Sequence, residues 1–575
     1  MNILGVWPSM FHDPAAALII DGKVVAAAEE ERFIREKHAT NKLPLEAINY
    51  CLNFARIKAS DIDYIAFPWS EKAYDRFKYQ YFRRKFFNSP DRAIKAILKS
   101  DKIRQDKRNI VKQICDKLGV SFCQDKVVFV AHHLAHAASA YYFSGMKDAA
   151  VMSMDGSGEF TATFLAHAVN EKIIPIKEIC VPDSLGLFYS TLTEYLGFRS
   201  NNGEYKVMGM APYGDASKAN LDDVVFWDDR RGVYKCNDKH VWVKRSLRDD
   251  PNKMYSKAMM KKLGRPRQGD NLDEPYIHIA AATQKKLEEI TIKLVETYLK
   301  DELLKHGNLC FAGGCALNVV LNRALLTLPY IKNLWVQPAS NDSGASLGAA
   351  AVVANQLGRK IEPMKHAYLG PRFSNEEIET QLSKSGFLYS RENDICAKAA
   401  DLLAKGEVVG WFQGRMEWGP RALGNRSILG NPIIRGTADK INSIIKFRET
   451  WRPFCPSILK EKASEILDSD HPAPFMTIAF KVNDKWKDKI PEVVHVDNTA
   501  RPQIVDKEVN PKFYNVIENF YHKTGVPVVI NTSLNRRGEP LICSPADALE
   551  MFKESGLDFL AIGDYLVEKG SRDTE

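Results

Sequence analysis

The chain has 575 residues, 45% hydrophobic and 26% charged, with 80 Lys and Arg against 72 Asp and Glu for a net charge of +8. At ~100–200 residues per domain the length fits two to four domains, and so small a surplus does not describe a dedicated nucleic-acid binder. No apolar run approaches the ~18 residues of a membrane span, and ten Cys without a CxxC pair exclude a disulfide framework or zinc ribbon, so reduced thiols in a cytoplasmic protein are expected.

Met1-Asn-Ile-Leu opens directly into a strand pattern with no basic leader, so no secretory signal is expected. Ile3–Trp7 reads as a buried strand, followed by a polar loop with His12 and Asp13. Ala15–Ile20, Asp21-Gly22 and Val24–Ala28 then predict a hairpin, because both turn residues tolerate positive φ. The arrangement returns at Ala149–Met154, with a loop at Asp155–Glu159 and strands at Thr161–Ala166 and Ile173–Ile179. Strand, polar loop and hairpin thus occur twice, which predicts two related α/β lobes facing across a cleft. Between the copies, Glu71–Lys117 is a basic helical excursion whose simplest reading is a solvated helix face. A second charged excursion spans Ser217–Glu274. The long helix Tyr276–Lys300 leads into strand Leu309–Ala312, and a domain boundary falls near Gly358–Arg372, giving domains 1–362 and 363–575. In the second domain, strands Val408–Phe412 and Val526–Asn531 flank a segment dense in Arg, Gly and Pro.

His132 and His136 stand at i, i+4 after an apolar strand, so on a helix they share a face and can reach one metal ion; alone, such a pair is more often structural. Four loops have phosphate-binding chemistry. Gly156, Ser157, Gly158 and Glu159 form a small-residue turn, while Gly313, Gly314 and Asn318 join a strand to a helix N-terminus. Asn341–Gly348 opens a small-residue helix, and Lys206 lies near a glycine. Their convergence predicts nucleotide binding in the first domain. In the second, Arg415, Arg421, Arg426, Arg448, Arg452 and Arg501 lie among Gly, Pro and Trp, with Asn531, Ser533 and Asn535 at a strand end. Clustered Arg forks suit a small polyanionic substrate; structural pairing of these Arg residues is the competing reading.

FHDPAAAL, EEERF, AHHLAHAASAYY, MDGSGE, GEYKVMGMAPYG, FAGGCALN and NDSGASLGAA occur in that order, followed by EWGPRALGNRSI, KFRETWRPFCPSI and PVVINTSLNRRGEP. Together they resemble the antibiotic and nodulation-factor O-carbamoyltransferases over nearly the whole chain. The resemblance implies an α/β fold: duplicated actin/sugar-kinase/Hsp70-like lobes similar to a threonylcarbamoyl transferase, then a YrdC-like domain. It implies a metal, Fe²⁺ or another divalent ion, on His132, His136, Asp155 and Asp342. It also implies ATP, with Mg²⁺, and carbamoyl phosphate in the second domain, where Lys446 and Arg448 cooperate with Ser533 and Asn535 while Arg415, Arg421, Arg452, Arg501 and Asn531 bind phosphates. Carbamoyl-adenylate formed there would donate its carbamoyl group to the hydroxyl of a small molecule in the first domain. His12 is the candidate base and Lys37 an acceptor contact. No nucleic-acid or membrane partner is implied, and a homodimer is the default assembly. The alternatives are a tRNA threonylcarbamoyl-type transferase and a kinase-like or Hsp70-like ATPase.

Overall fold

The computed structural model describes the chain except residues 9–11, 88–89, 121–123, 242–251, 450 and 570–575. Phe11 and Thr450 of the motifs, Cys123, and part of the second charged excursion therefore lie outside the described residues. The chain divides into two compact units. The first comprises Met1–Met10, Pro14–Val25 and Lys42–Met364; the second comprises Phe11–Asp13, Ala26–Asn41 and Lys365–Glu575.

The first unit is built on two five-stranded sheets. Strands β1 (Asn2–Trp7), β2 (Ala15–Ile20), β3 (Lys23–Glu29), β4 (Tyr64–Phe67) and β5 (Val127–Phe129) lie in the order β3-β2-β1-β4-β5. β2 is antiparallel to β1, whereas β1, β4 and β5 are parallel. The β2–β3 turn is Asp21-Gly22 with φ of 49° and 86°, the left-handed pair that a two-residue hairpin demands. The second sheet repeats this plan. β6 (Ala149–Gly158), β7 (Thr161–Val169) and β8 (Lys172–Cys180) form an antiparallel meander. After a separate hairpin of β9 (Val225–Asp228) and β10 (Val233–Cys236), β11 (Asn308–Ala312) and β12 (Asn333–Val336) add in parallel, giving β12-β11-β6-β7-β8. Each lobe is therefore one strand flanked by its own meander on one side and two later parallel strands on the other. The duplication read from turn chemistry is a duplication of topology.

Two alanine-rich helices occupy the space between these sheets. His132–Ser144 buries Ala137, Ala140 and Tyr141 against Val151, Ala166 and Ala312 of the second sheet. Asp342–Gln356 presses on β1, where a Cβ on Gly5 would fall 1.9 Å from the Ser346 carbonyl oxygen. The helices meet at Gly348, whose missing Cβ would lie 1.8 Å from the Ala135 carbonyl oxygen. Small residues here permit the backbone contact that fixes the helix pair. The segment Asp155–Glu159, expected to be a tight exposed loop, mostly continues β6. The register shifts between Met154 and Gly158, and the chain reverses at Glu159 with φ of 47°. Gly158 is buried because the His132 ring lies on it; a Cβ there would meet that ring at 2.1 Å.

The basic excursion folds as helices Glu71–Lys85, Pro90–Leu98 and Ser100–Lys117. Most of its cations are solvated or paired, Lys78 with Asp75 at 2.8 Å, Lys85 with Asp238 at 2.7 Å and Arg104 with Asp75 at 2.7 Å.

The second unit is α/β as well. Its eight-stranded mixed sheet runs β13-β22-β21-β14-β15-β20-β16-β19. In chain order the strands are β13 (Leu388–Arg391), β14 (Val409–Phe412), β15 (Arg426–Gly430), β16 (Cys455–Leu459), β19 (Gln503–Val505), β20 (Val528–Ser533), β21 (Phe559–Ile562) and β22 (Tyr565–Glu568), with β17 (Phe480–Lys481) and β18 (Thr499–Ala500) as a separate ribbon. The segment Ala26–Asn41 is part of this unit. Glu29 Oε1 accepts from Gly419 N at 2.9 Å, and Arg32 donates to Gly419 O at 2.9 Å while pairing with Glu29. The EEERF motif thus grips the backbone of the WGPRALG loop. A boundary read from composition alone does not foresee this, because these partners are hundreds of residues apart.

Candidate metal centre and cationic site

The helix His132–Ser144 aims both ring nitrogens of its i, i+4 pair at one point: His132 Nε2 and His136 Nε2 stand 3.0 Å apart. Asp155 enters from β6 and Asp342 from the first turn of its own helix. Asp155 Oδ2 lies 3.3 Å from His136 Nε2, and Asp342 Oδ1 lies 3.4 Å from His132 Nε2 and 3.5 Å from His136 Nε2. All four ligand atoms lie within 4.8 Å of one another. Burial opposes a charge on His132, yet Asp155 and Asp342 push its pKa up to about 10. Hydrogen bonds from the two imidazoles hold the Asp155 carboxyl well below its ordinary value, against the cost of burial. The site is therefore anionic and hungry for a cation. Two imidazoles and two carboxylates turned inward fit a divalent transition ion such as iron, manganese or zinc. His133 points elsewhere, 2.9 Å from both Ser153 Oγ and the Thr161 carbonyl oxygen.

The expected nucleotide residues fall around this centre in different ways. Gly314 is beside it: a Cβ there would lie 3.0 Å from Asp155 Oδ1. Gly313, with φ of 90°, abuts Met154 O, and Gly156 N donates to Asp155 Oδ1 at 2.6 Å. Ser157 is exposed. The Glu159 carboxylate accepts from Ser70 N at 2.7 Å and from His132 N at 3.2 Å, so it caps the histidine-bearing helix; burial raises its pKa to about 7. Asn318 caps the helix Val319–Leu326 and bonds Gln284 through its amide. The Lys206 ammonium lies over the Phe198 ring at 5.2 Å.

In the second unit, Lys446 is the centre. Its ammonium donates to Ser533 Oγ at 3.1 Å, Asn535 Oδ1 at 2.8 Å and Asn535 O at 2.9 Å, and to the Ser533 carbonyl. Burial pushes its pKa well below 10.5, and the charges of Arg448, Arg452 and Lys37 add to this. Lys37 therefore belongs to the electrostatic surroundings of Lys446, while its ammonium is 3.1 Å from Glu31. Arg448 donates to Asn442 at 2.8 Å and stacks over Phe454; Arg452 pairs with Glu449 at 3.4 Å.

Other cations are committed to the scaffold. Arg426 is fully buried and donates to the carbonyls of Gln413, Asn425 and Pro371. Arg415 holds the Leu369 and Gly370 carbonyls, and Arg501 reaches Cys455 Sγ at 2.8 Å. Arg421 is partly exposed on the WGPRALG loop. Asn531 lies inside the sheet, bonded to Ser457 and Gln503 at 3.0 Å each. Residue-by-residue reading missed Glu417, whose buried carboxylate gathers the N–H groups of Leu423, Asn425 and Arg426. It also missed the group around His12: Asp13 Oδ2 is 3.2 Å from His12 Nδ1, and Asp13 Oδ1 is 2.8 Å from His38 Nδ1.

The carbamoyltransferase N-terminus pattern matches residues 2–351 and the carbamoyltransferase C-terminus pattern residues 400–569. The chain belongs to the carbamoyltransferase family. It is accordingly a transferase enzyme. It is 35% identical to nodulation protein NolNO of Sinorhizobium fredii, covering 100% of this chain and 81% of that one. It is 38% identical to the Synechocystis protein sll1178, covering 99% of this chain and 97% of that one. Among solved structures, HypF of T. kodakarensis aligns over 63% of this chain and 48% of its own at 13% identity and a TM-score of 0.32. A likeness that distant carries no argument, and the duplicated lobes stand on strand order alone. Among the described residues, no helix is long and apolar enough to cross a membrane.

Proposed function

We propose that this carbamoyltransferase is an ATP-dependent O-carbamoyltransferase that activates carbamoyl phosphate as carbamoyl-adenylate and passes the carbamoyl group to a hydroxyl of a small molecule. The observation that carries this is the pairing of two unlike sites in one chain. One is a four-ligand metal cluster in the first unit; the other is a buried lysine with two arginines beside it in the second.

Activation is the task of the second unit. Cleavage of carbamoyl phosphate by water gives phosphate and carbamate, a poor electrophile. A carbamate oxygen then attacks the ATP α-phosphorus and pyrophosphate leaves; the mixed anhydride so formed must be kept from water with its phosphate charge neutralised. Lys446 is pre-oriented by Ser533 and Asn535, and burial together with the charges of Arg448 and Arg452 makes its ammonium costly until an anion joins it. ATP or carbamoyl phosphate supplies that anion. Arg448 and Arg452 add charge from the same side, with Mg²⁺ accompanying ATP.

Transfer is the task of the first unit. His132, His136, Asp155 and Asp342 would hold the divalent metal, whose chemistry is Lewis-acid stabilisation of phosphoryl or carbonyl oxygen. Gly314 lets the backbone pass close beside Asp155, where a Cβ would lie 3.0 Å from Oδ1. His12, which belongs with Asp13 to the second unit and is steadied by it through Nδ1, is the group to accept the acceptor hydroxyl proton. Incubating the protein with ATP and carbamoyl phosphate should release pyrophosphate. Adding hydroxylated metabolites should release AMP and add a carbamoyl mass to one of them. No pyrophosphate with any donor would refute the adenylate route.

A further inference from the structure

The basic insertion carries one lysine unlike the rest. On the helix Ser100–Lys117, Lys102, Lys112 and Lys117 are exposed, Arg104 is paired with Asp75, and Arg108 is paired with Glu71 at 2.7 Å. Lys107 instead lies on the inward face, with Ile103, Ile110, Val111 and Ile114. Its ammonium sits 5.9 Å from the centre of the Trp69 ring, and its side chain borders a small apolar cleft with Trp7, Phe67, Trp69, Ile110, Val111 and Phe129. Among the described residues it forms no ion pair and no hydrogen bond.

This cleft adjoins the metal cluster. Trp7 packs against the His132 ring with centroids 5.2 Å apart. The carboxylates acting on Lys107 are foremost Glu159 and Asp342. Glu159 is engaged by the N–H groups of Ser70 and His132, and Asp342 is a cluster ligand. Once a dication occupies the cluster, the negative charge of Asp155 and Asp342 is neutralised. Lys107, half-buried against Trp69, then keeps only Glu159 and Asp106 as carboxylates acting on it, and an anion beside it is favoured.

We infer that Lys107 binds a phosphoryl oxygen of the nucleotide-bearing carbamoyl donor beside the metal cluster. This rests on the adenylate reading proposed above and extends it by giving the insertion a part in the transfer site. A phosphate there completes the charge pattern, because it is attracted by the ammonium and by the metal together. Burial pushes the Lys107 pKa down to about 7, and a phosphate beside it would raise it again.

AMP is the probe. With the full chain loaded with one equivalent of Mn²⁺, paramagnetic relaxation of the AMP phosphorus reports nucleotide beside the cluster. Lys107→Met should weaken AMP about 10–100-fold, the worth of a charge-assisted contact. It should leave Mn²⁺ affinity and adenosine affinity, followed through the ring protons, unchanged. Lys107→Arg should retain AMP within a few-fold, and Lys102→Met should match the unchanged protein. Equal losses for AMP and adenosine, or a parallel loss of Mn²⁺, would show a packing role and overturn the assignment, as would unaltered AMP affinity in Lys107→Met. If Mn²⁺ binds the unchanged protein but AMP relaxation is absent, the adenylate reading of this unit fails and Lys107 with it.

Discussion

His38 and His12 share one carboxylate: Asp13 receives Nδ1 of His38 at 2.8 Å on Oδ1 and Nδ1 of His12 at 3.2 Å on Oδ2. Burial works against ionising Asp13, but hydrogen bonds from the two imidazoles hold its carboxyl far below the usual carboxylate range. An ionised Asp13 fixes both rings with Nδ1 protonated and leaves Nε2 as the basic atom. Asp13→Asn should therefore lower acceptor carbamoylation by up to the ~10²–10⁴-fold that general-base help supplies, with pyrophosphate release intact. Nitrogen-15 spectra of labelled histidine should show the Nδ1–H tautomer lost. Equal loss of both partial reactions would place Asp13 in the scaffold instead.

Removing a ligand from the cluster should remove the metal. His136→Ala is expected to be purified with well under one equivalent of divalent ion per chain, and His133→Ala with the full complement, because His133 is bonded to Ser153 and Thr161. Elemental analysis after dialysis decides between them. Metal loss in both variants would mean that packing of the whole helix, not ligation, holds the ion.

Gly158→Ala offers an indirect route to the same loss. The new methyl would need the space of the His132 ring, 2.1 Å away, and the flanking backbone of Met154–Gly158 is already irregular. Either the ring or the strand must move. Metal content should drop although every ligand is still encoded, and retention of a full equivalent would show that His132 can slide without cost.

Lys446 makes anion binding a proton-linked event. Its pKa in the free protein is depressed by burial and then by Arg448 and Arg452. A phosphate beside it restores the ammonium, so in the interval between the depressed value and 10.5 binding takes up a proton, and above or below that interval it takes up none. ATP calorimetry in two buffers of different ionisation enthalpy should show uptake of up to about one proton, abolished in Lys446→Met. Proton release, or uptake that survives the substitution, would assign the linkage to another group.

Gly348→Ala tests the helix contact between the sheets. Its Cβ would fall 1.8 Å from the Ala135 carbonyl oxygen, a clash with backbone and not with a yielding side-chain tip. Overpacking of this kind costs roughly 1–3 kcal/mol, which should appear as a lower urea midpoint for the first unit. An unchanged midpoint would show that the helices separate freely.

What the sequence disclosed follows from how local each signal is. The lobes were legible because Asp21-Gly22 and the alternation of apolar runs are local, and turn chemistry acts over two residues. His132 and His136 were legible as a pair through helical spacing, whereas Asp155 and Asp342 came only through the family resemblance. Charged residues that act through distant partners were silent. Nothing local marks Glu29, Arg32 and Glu417 as interior residues, yet all are buried with backbone partners. Lys107 was hidden in the basic run by neighbours that are solvated. Asn531 looked like a strand-end ligand because β20 continues two residues further, to Ser533; paired with Leu429 and Cys455, it lies within the sheet.

The Gly348 contact also sets how the metal cluster responds to motion. His132, His136 and Asp155 ride on the layer of the second sheet, while Asp342 rides on the helix seated against β1. Prising the two helices apart withdraws one carboxylate and leaves three ligands in register. An ion bound there would sense the gap between the lobes as a change in coordination number, and the missing methyl at residue 348 marks the zero of that gauge.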